Sequence, residues 1–290
     1  MSVPGFNAPE RGAPLRRLSL PDVGRVVTVA SGKGGVGKST VAVNLALAMS
    51  RRGWRVGLLD ADAHGPDVPL MLGVRRRDDV SGWEALLPVG RNLGLGDLAQ
   101  HTLPPLERFG IRVMSLGLLV GEEQATLAQH ASLVGWLVRN LLAMVDWGAL
   151  DILLIDLPPG TGEPQATLLE TVVLDGVLFV VGPQDLALLD TGRALRAFQT
   201  AGVPVIGAVE NMSYLLCPAC GERIQVFHRG SVPRAITSGE IPLLAEIPID
   251  PAISEAGDTG RPVVVAAPDS NQARLFLDLA ARVEARLGGR

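Results

Sequence analysis

The sequence predicts a doubly wound α/β fold, a mostly parallel sheet with helices on both faces, and three observations predict it. Short apolar runs alternate with helix-length stretches along most of the 290 residues. Several runs are apolar at consecutive positions, as in strands covered on both faces. The first run, Val26–Ala30, leads through a glycine-rich loop, Ser31–Thr40, into a helical pattern at Val41–Arg52.

Residues 1–20 are rich in Pro, Gly and Arg with no sustained period, and read as a flexible tail before a domain spanning 21–290. Expected strands are Val26–Ala30, Arg55–Leu59, Arg112–Leu116, Asp151–Ile155, Val177–Val181, Val205–Val209, Leu243–Ile247 and the short run Val263–Val265. Expected helices are Ser39–Arg52, Ala131–Val145, Pro164–Leu174, Leu186–Ala201 and Asn271–Leu287. The last carries Leu275, Leu279, Val283 and Leu287 at spacings of four, which reads as one buried stripe. Arg75–Gly110, with its arginine run, glycines and Pro104-Pro105, reads as an insertion after the second strand.

The loop reads Ser31-Gly-Lys-Gly-Gly-Val-Gly-Lys-Ser-Thr40. Gly32, four residues, then Gly37-Lys38-Ser39 fits the phosphate-loop pattern G-x-x-x-x-G-K-S/T. Its glycines let several backbone N–H groups face one anion, and the following helix adds its partial positive end. Lys38 is placed for the β- and γ-phosphates and the Ser39 hydroxyl for Mg²⁺. Lys33 is a second lysine, beyond what one nucleotide's phosphates need.

In an open parallel sheet, ligands bind beyond the carboxyl ends of the strands, so polar residues closing apolar runs carry weight. Asp60 and Asp62 follow Arg55–Leu59, and alternate residues of an extended segment face the same way. Asp156 closes Asp151–Ile155, fits an Mg²⁺-holding carboxylate, and opens Asp-Leu-Pro-Pro-Gly-Thr-Gly-Glu163. The chain has two cysteines, Cys217 and Cys220, spaced C-x-x-C. A tetrahedral Zn²⁺ or a [4Fe-4S] cluster takes four protein ligands, so a symmetric dimer would supply two from each chain. On spacing alone zinc is the better fit, since Cys-Pro-x-Cys-Gly is also a zinc-ribbon knuckle.

The phosphate loop with its early lysine resembles the deviant Walker A P-loop NTPases, the superfamily of MinD, ParA and the nitrogenase iron protein. Asn211-Met-Ser213, Cys217-Pro-Ala-Cys-Gly221, Asp60-Ala-Asp-Ala-His-Gly-Pro66 and Pro158-Pro-Gly-Thr-Gly162 narrow the likeness to the Mrp/Nbp (ApbC-like) iron–sulfur cluster carrier ATPases. Gly182–Ala187 and Phe227–Gly230 add to it more loosely, and it runs from Val26 to the C-terminus. The resemblance implies a homodimeric, Mg²⁺-dependent ATPase that carries a [4Fe-4S] cluster to apo iron–sulfur proteins. It implies that Gly32, Lys33, Gly34, Gly35, Val36, Gly37, Lys38, Ser39 and Thr40 hold the nucleotide, with Lys33 crossing to the partner's nucleotide. Asp60 would sit near the Mg²⁺, Asp62 would orient the attacking water, and Gly160 and Gly162 would sense the γ-phosphate. Asn211 and Asp250 would contact the base, and Cys217 and Cys220 would tip from zinc to iron–sulfur. The chain departs from the family pattern at Glu163, His64 and Gln129-His130-Ala131.

Composition limits the rivals. Hydrophobic residues make up 47% and charged residues 19%, which suits a large core. The formal net charge of -4 disfavours a nucleic-acid-binding surface, and thus a ParA-like role. No apolar run approaches the ~20 residues of a membrane span, and the last helix lacks the basic amphipathic face of a MinD-like anchor. With no signal-like N-terminal pattern, a cytoplasmic location is expected. A MinD/ParA-type positioning ATPase and a zinc-bridged dimeric regulatory ATPase are the alternatives.

Overall fold

The computed structural model describes Leu18 and residues 20–62, 65–74, 103–119, 131–183, 188–227 and 240–289. His64, most of the Arg75–Gly110 stretch, Gln129-His130, Gln184–Ala187 and His228–Gly230 lie outside the described residues, as does the side chain of Glu163.

The strands are β1 Val26–Ala30, β2 Val56–Asp60, β3 Leu106–Arg108, β4 Ile111–Ser115, β5 Ile152–Asp156, β6 Gly176–Val181, β7 Val205–Glu210, β8 Leu215–Leu216, β9 Arg223–Ile224 and β10 Leu243–Glu246. The helices are α1 Lys38–Arg51, α2 Val68–Met71, α3 Leu116–Leu119, α4 Ala131–Met144, α5 Glu163–Thr171, α6 Leu188–Thr200, α7 Pro251–Asp258, α8 Val263–Ala266 and α9 Asn271–Arg286. Eight strands form one sheet in the order β10-β7-β6-β1-β5-β2-β4-β3, parallel throughout except for β3. The short pair β8–β9 stands apart as an antiparallel hairpin.

Every residue of β1, β2, β5 and β6 is buried, which accounts for their consecutive apolar runs. Leu58, Leu59, Leu153, Leu154 and Ile155 are fully enclosed. Burying such a side chain contributes roughly 1.5–3 kcal/mol, which anchors the strand ends that follow them. The register then sets the site: Asp60 lies opposite Asp156, and Asp156 opposite Val29, one residue before the end of β1. Two carboxylates and the phosphate loop thus leave the sheet at one level.

Two expectations change. Val263–Val265 is not a strand but the start of α8. The Pro262 carbonyl accepts the N–H groups of Val265 and Ala266 at 2.7 and 2.9 Å, and the Val264 N–H donates to Asn44 Oδ1 of α1. Packing against α1 overrides the β-propensity of three valines. On α9 the buried stripe is Ala273, Phe276, Leu279, Ala280 and Val283, while Leu275 and Leu287 lie at its half-buried margin. Spacings of three and four together follow the helix face; fours alone drift off it.

Candidate nucleotide site and cysteine turn

The phosphate loop joins β1 to α1. Gly35 and Gly37 take positive φ, 79° and 78°, where a side chain is strained. A Cβ on Gly37 would also stand 2.2 Å from Asn211 Nδ2. No side chain caps α1, so its first-turn N–H groups remain available to an anion.

Lys38 is only 6% exposed, and a lysine buried to that degree needs anionic partners. Its Nζ lies 2.7 Å from Asp156 Oδ1 and 3.7 Å from Asp62 Oδ2, and donates to Ser39 Oγ at 3.3 Å. Lys33, in the same loop, is exposed; it lines a cavity of about 220 Å³ with Gly34–Val36, Gly182, Pro183, Met212 and Phe227. Gly32 and Val36 are buried, Gly34 is exposed, and Ser39 and Thr40 are half-buried.

The carboxylates differ in how they are satisfied. Asp60 Oδ1 accepts the Asp62 N–H at 3.1 Å, and Oδ2 accepts the Ser115 hydroxyl at 2.8 Å. Asp156 Oδ2 is buried with no hydrogen-bond partner. Burial, then the neighbouring Asp156 charge, pushes the Asp60 carboxyl well above the usual carboxylate range. Burial also raises Asp156, with Lys38 opposing it. A free carboxylate oxygen beside Ser39 suits a hard cation. Among the described residues no three His, Cys, Asp or Glu side chains converge as a ready metal site.

The Asp156–Gly162 segment is tied to the loop, for the Gly160 N–H donates to Ser31 O at 2.9 Å. Asn211 follows β7, and its Nδ2 donates to the Val36 carbonyl at 2.9 Å. Asp250 serves as N-cap of α7: Oδ1 accepts the Ala252 N–H at 2.9 Å and Oδ2 accepts Gln272 Nε2. Both its oxygens are engaged by the fold.

Cys217 and Cys220 sit on the turn between β8 and β9. The Cys217 N–H donates to Glu222 O at 2.9 Å, the Gly221 N–H donates back to Cys217 O at 2.8 Å, and Gly221 turns the chain at φ 73°. Cys217 is half-buried and Cys220 exposed. The Ala219 and Cys220 N–H groups, then the Cys220 thiol, lower the Cys217 thiol below its ordinary value. The guanidinium of Arg223 stacks 3.7 Å from the Tyr214 ring centroid and pairs with Glu246 on β10, bracing the hairpin against the sheet edge. Leu216, Ile224 and Val226 beside the turn are each more than 40% exposed.

The family profile described as ParA, the NUBPL iron-transfer P-loop NTPase, matches residues 22–284. The chain belongs to this family. It is 41% identical over 297 residues to an iron-sulfur cluster carrier protein of Pyrococcus abyssi, covering 99% of this chain and 96% of that one. A carrier protein of the same description from Aquifex aeolicus is 38% identical over 265 residues, 91% of this chain and 68% of the relative. The iron-sulfur cluster transfer protein NUBPL of Mus musculus is 38% identical over 279 residues, 96% of this chain and 82% of the relative. Among solved structures, a nucleotide-binding protein in complex with ADP from Archaeoglobus fulgidus aligns with a TM-score of 0.67 and 34% identity, covering 89% of this chain and 93% of that one. The Pyrococcus furiosus cell division ATPase MinD aligns at 0.63 and 28%, covering 90% and 99%.

Sequence reasoning does not single out Ser115. It closes β4 just as Asp60 and Asp156 close β2 and β5, so the same polar-at-strand-end signal applies. The expected strand, Arg112–Leu116, ran one residue long at its carboxyl end and hid Ser115 inside it.

Proposed function

We propose that the protein is a homodimeric, Mg²⁺-dependent ATPase that carries a [4Fe-4S] cluster as cargo to apo iron–sulfur proteins. The observation that carries this reading is that one rim of the sheet bears both an intact phosphate loop and an exposed two-cysteine turn six residues past Asn211. The named functions of the relatives support it.

Lys38 binds the β- and γ-phosphates, Asn211 the base, and Asp62 orients the attacking water. Ser39 and the free Asp156 Oδ2 hold Mg²⁺, with Asp60 behind them; when bound, Mg²⁺ neutralises developing phosphate charge. Asp250, the cap of α7, borders the base on the other side. Exposed Lys33 is free to reach a partner's nucleotide. Two chains with two cysteines each supply four thiolates, and the exposed Leu216, Ile224 and Val226 give that contact an apolar border. The expected tail at 1–20 lies outside the described residues except at Leu18, whose N–H donates to Thr171 O, and Leu20, which packs on the core of the ATPase domain at 21–290; the protein works in the cytoplasm, apart from membrane and nucleic acid. Among the described residues no helix is long and apolar enough to cross a membrane.

Anaerobic reconstitution followed by iron, sulfide and zinc analysis and sedimentation tests this. About four iron and four sulfide per two chains is expected, from the four-ligand rule. A monomer that holds the full cluster, or zinc that iron and sulfide fail to displace, would overturn it.

A further inference from the structure

Ser115 ends β4 in register with Asp60 and is fully buried. Its oxygen accepts the Gly117 N–H at 3.0 Å, and its single hydrogen goes to Asp60 Oδ2 at 2.8 Å. Asp60 Oδ1 in turn accepts the Asp62 N–H at 3.1 Å. Three hydrogen bonds thus run from the β4–α3 corner to the backbone of Asp62, and both oxygens of Asp60 are used in the relay. Asp62 Oδ1 accepts the Gly65 N–H at 3.3 Å, and Oδ2 faces Lys38 Nζ at 3.7 Å. The same corner touches the segment again further on. A Cβ on Gly117 would stand 2.5 Å from Pro66 Cβ and 2.6 Å from its Cγ, so only hydrogen fits there. The corner therefore holds the Asp60–Pro66 segment on both sides of Asp62.

We propose that Ser115 is a positioning residue for ATP hydrolysis: through Asp60, and with Gly117 against Pro66, it sets where the Asp62 carboxylate points. This rests on the ATPase reading above. A serine that merely satisfies a buried carboxylate would, when lost, lower stability and weaken nucleotide binding and turnover together. A positioning serine splits them. It leaves the phosphate cradle intact and affects the group that orients the water.

The test uses the full chain with Ser115→Ala, Ser115→Thr and Gly117→Ala. It measures the affinity for a non-hydrolysable ATP analogue, kcat at saturating ATP, and amide hydrogen exchange. Ser115→Ala and Gly117→Ala should lower kcat about 10- to 100-fold, the cost of a misplaced catalytic group, with affinity within about threefold. Ser115→Thr, which keeps the hydroxyl, should recover kcat to within about threefold of the unaltered chain. Exchange of the Asp62 amide should accelerate in Ser115→Ala while β1 and β5 stay protected. A Ser115→Ala chain that hydrolyses ATP as the unaltered one does overturns the proposal. So does equal loss of affinity and kcat in both alanine variants. If the unaltered chain hydrolyses no ATP, the ATPase reading fails, and unchanged exchange at Asp62 would separately dismiss the brace.

Discussion

Around Lys38 the chain supplies every partner itself: Asp156, Asp62 and Ser39 arrive on three different segments and bury the ammonium almost completely. Around Cys217 and Cys220 it supplies a well-made turn and no more. The backbone of that turn is closed by reciprocal hydrogen bonds, yet Cys217 is only half-buried and Cys220 exposed, beside half-exposed apolar side chains. Under the proposed function the phosphate loop would need only Lys33 from a partner, whereas the cysteine turn would be half of a coordination sphere. A single chain should therefore bind nucleotide on its own but gain and lose its cargo with a second copy. The two lysines of the phosphate loop repeat the contrast on a smaller scale, Lys38 turned inward and Lys33 outward.

The strongest way to break this comparison is to remove both thiols. Cys217→Ser with Cys220→Ser should bring reconstituted iron to background while ATP hydrolysis stays within about twofold. Iron retained in the double variant would show that the turn is not the cargo site. From the other side, Lys38→Ala should lower ATP turnover by about 10²–10³-fold, the usual loss for one preorganised electrostatic group. Iron per dimer should not change, and a parallel loss of iron in a folded variant would mean the sites are not separable. Lys33→Ala sharpens the division within the loop: ATP affinity should hold within about threefold while hydrolysis falls on the order of 10²-fold. Loss of affinity alone would place Lys33 in its own chain's cradle. The smallest effect concerns Asp60. Its carboxyl is raised above the unfolded value, so it costs stability at neutral pH, and that cost is relieved as pH falls through the folded value. Asp60→Asn removes the charge together with one of the two buried acceptors, so the Tm itself can move either way, but its change between pH 7.5 and acid, measured without nucleotide, should be smaller than in the unaltered chain. An unaltered pH dependence of Tm in the variant would remove Asp60 from the account.

Much of this was written in the chain. β1 is found at Val26–Ala30 as its apolar run implied, and β5 and β7 lie within one residue of expectation, because strands buried on both faces need uninterrupted apolar runs. The phosphate loop could be read because its function constrains residue type at fixed spacing. Other features depend on contacts that spacing does not encode. Two-residue strands such as β8 and β9 carry no periodicity, so the hairpin beneath the cysteines was invisible although its turn was not. Val263–Val265 became helix because Asn44, far away in sequence, receives its backbone. Asp250 before Pro251 carries the signal of a helix cap, and the fold uses it as one. Ser115 was lost to a single-residue error at a strand end.

The parallel strands β1, β2, β5 and β7 all end at one rim of the sheet, where Asp60 and Asp156 close β2 and β5 and the phosphate loop and Asn211 follow β1 and β7. Among the described residues, the opposite rim, where these strands begin, carries none of those proposed for nucleotide or cargo. Ala149, exposed just ahead of β5, lies on that far rim. A chain tethered to a surface or carrying a bulky reporter at Ala149 would keep its working edge unobstructed, whereas the same attachment at Leu216 or Val226 would block cargo and partner together. For anyone building a sensor or an immobilised assembly line from this protein, the strand direction decides which side faces the bench.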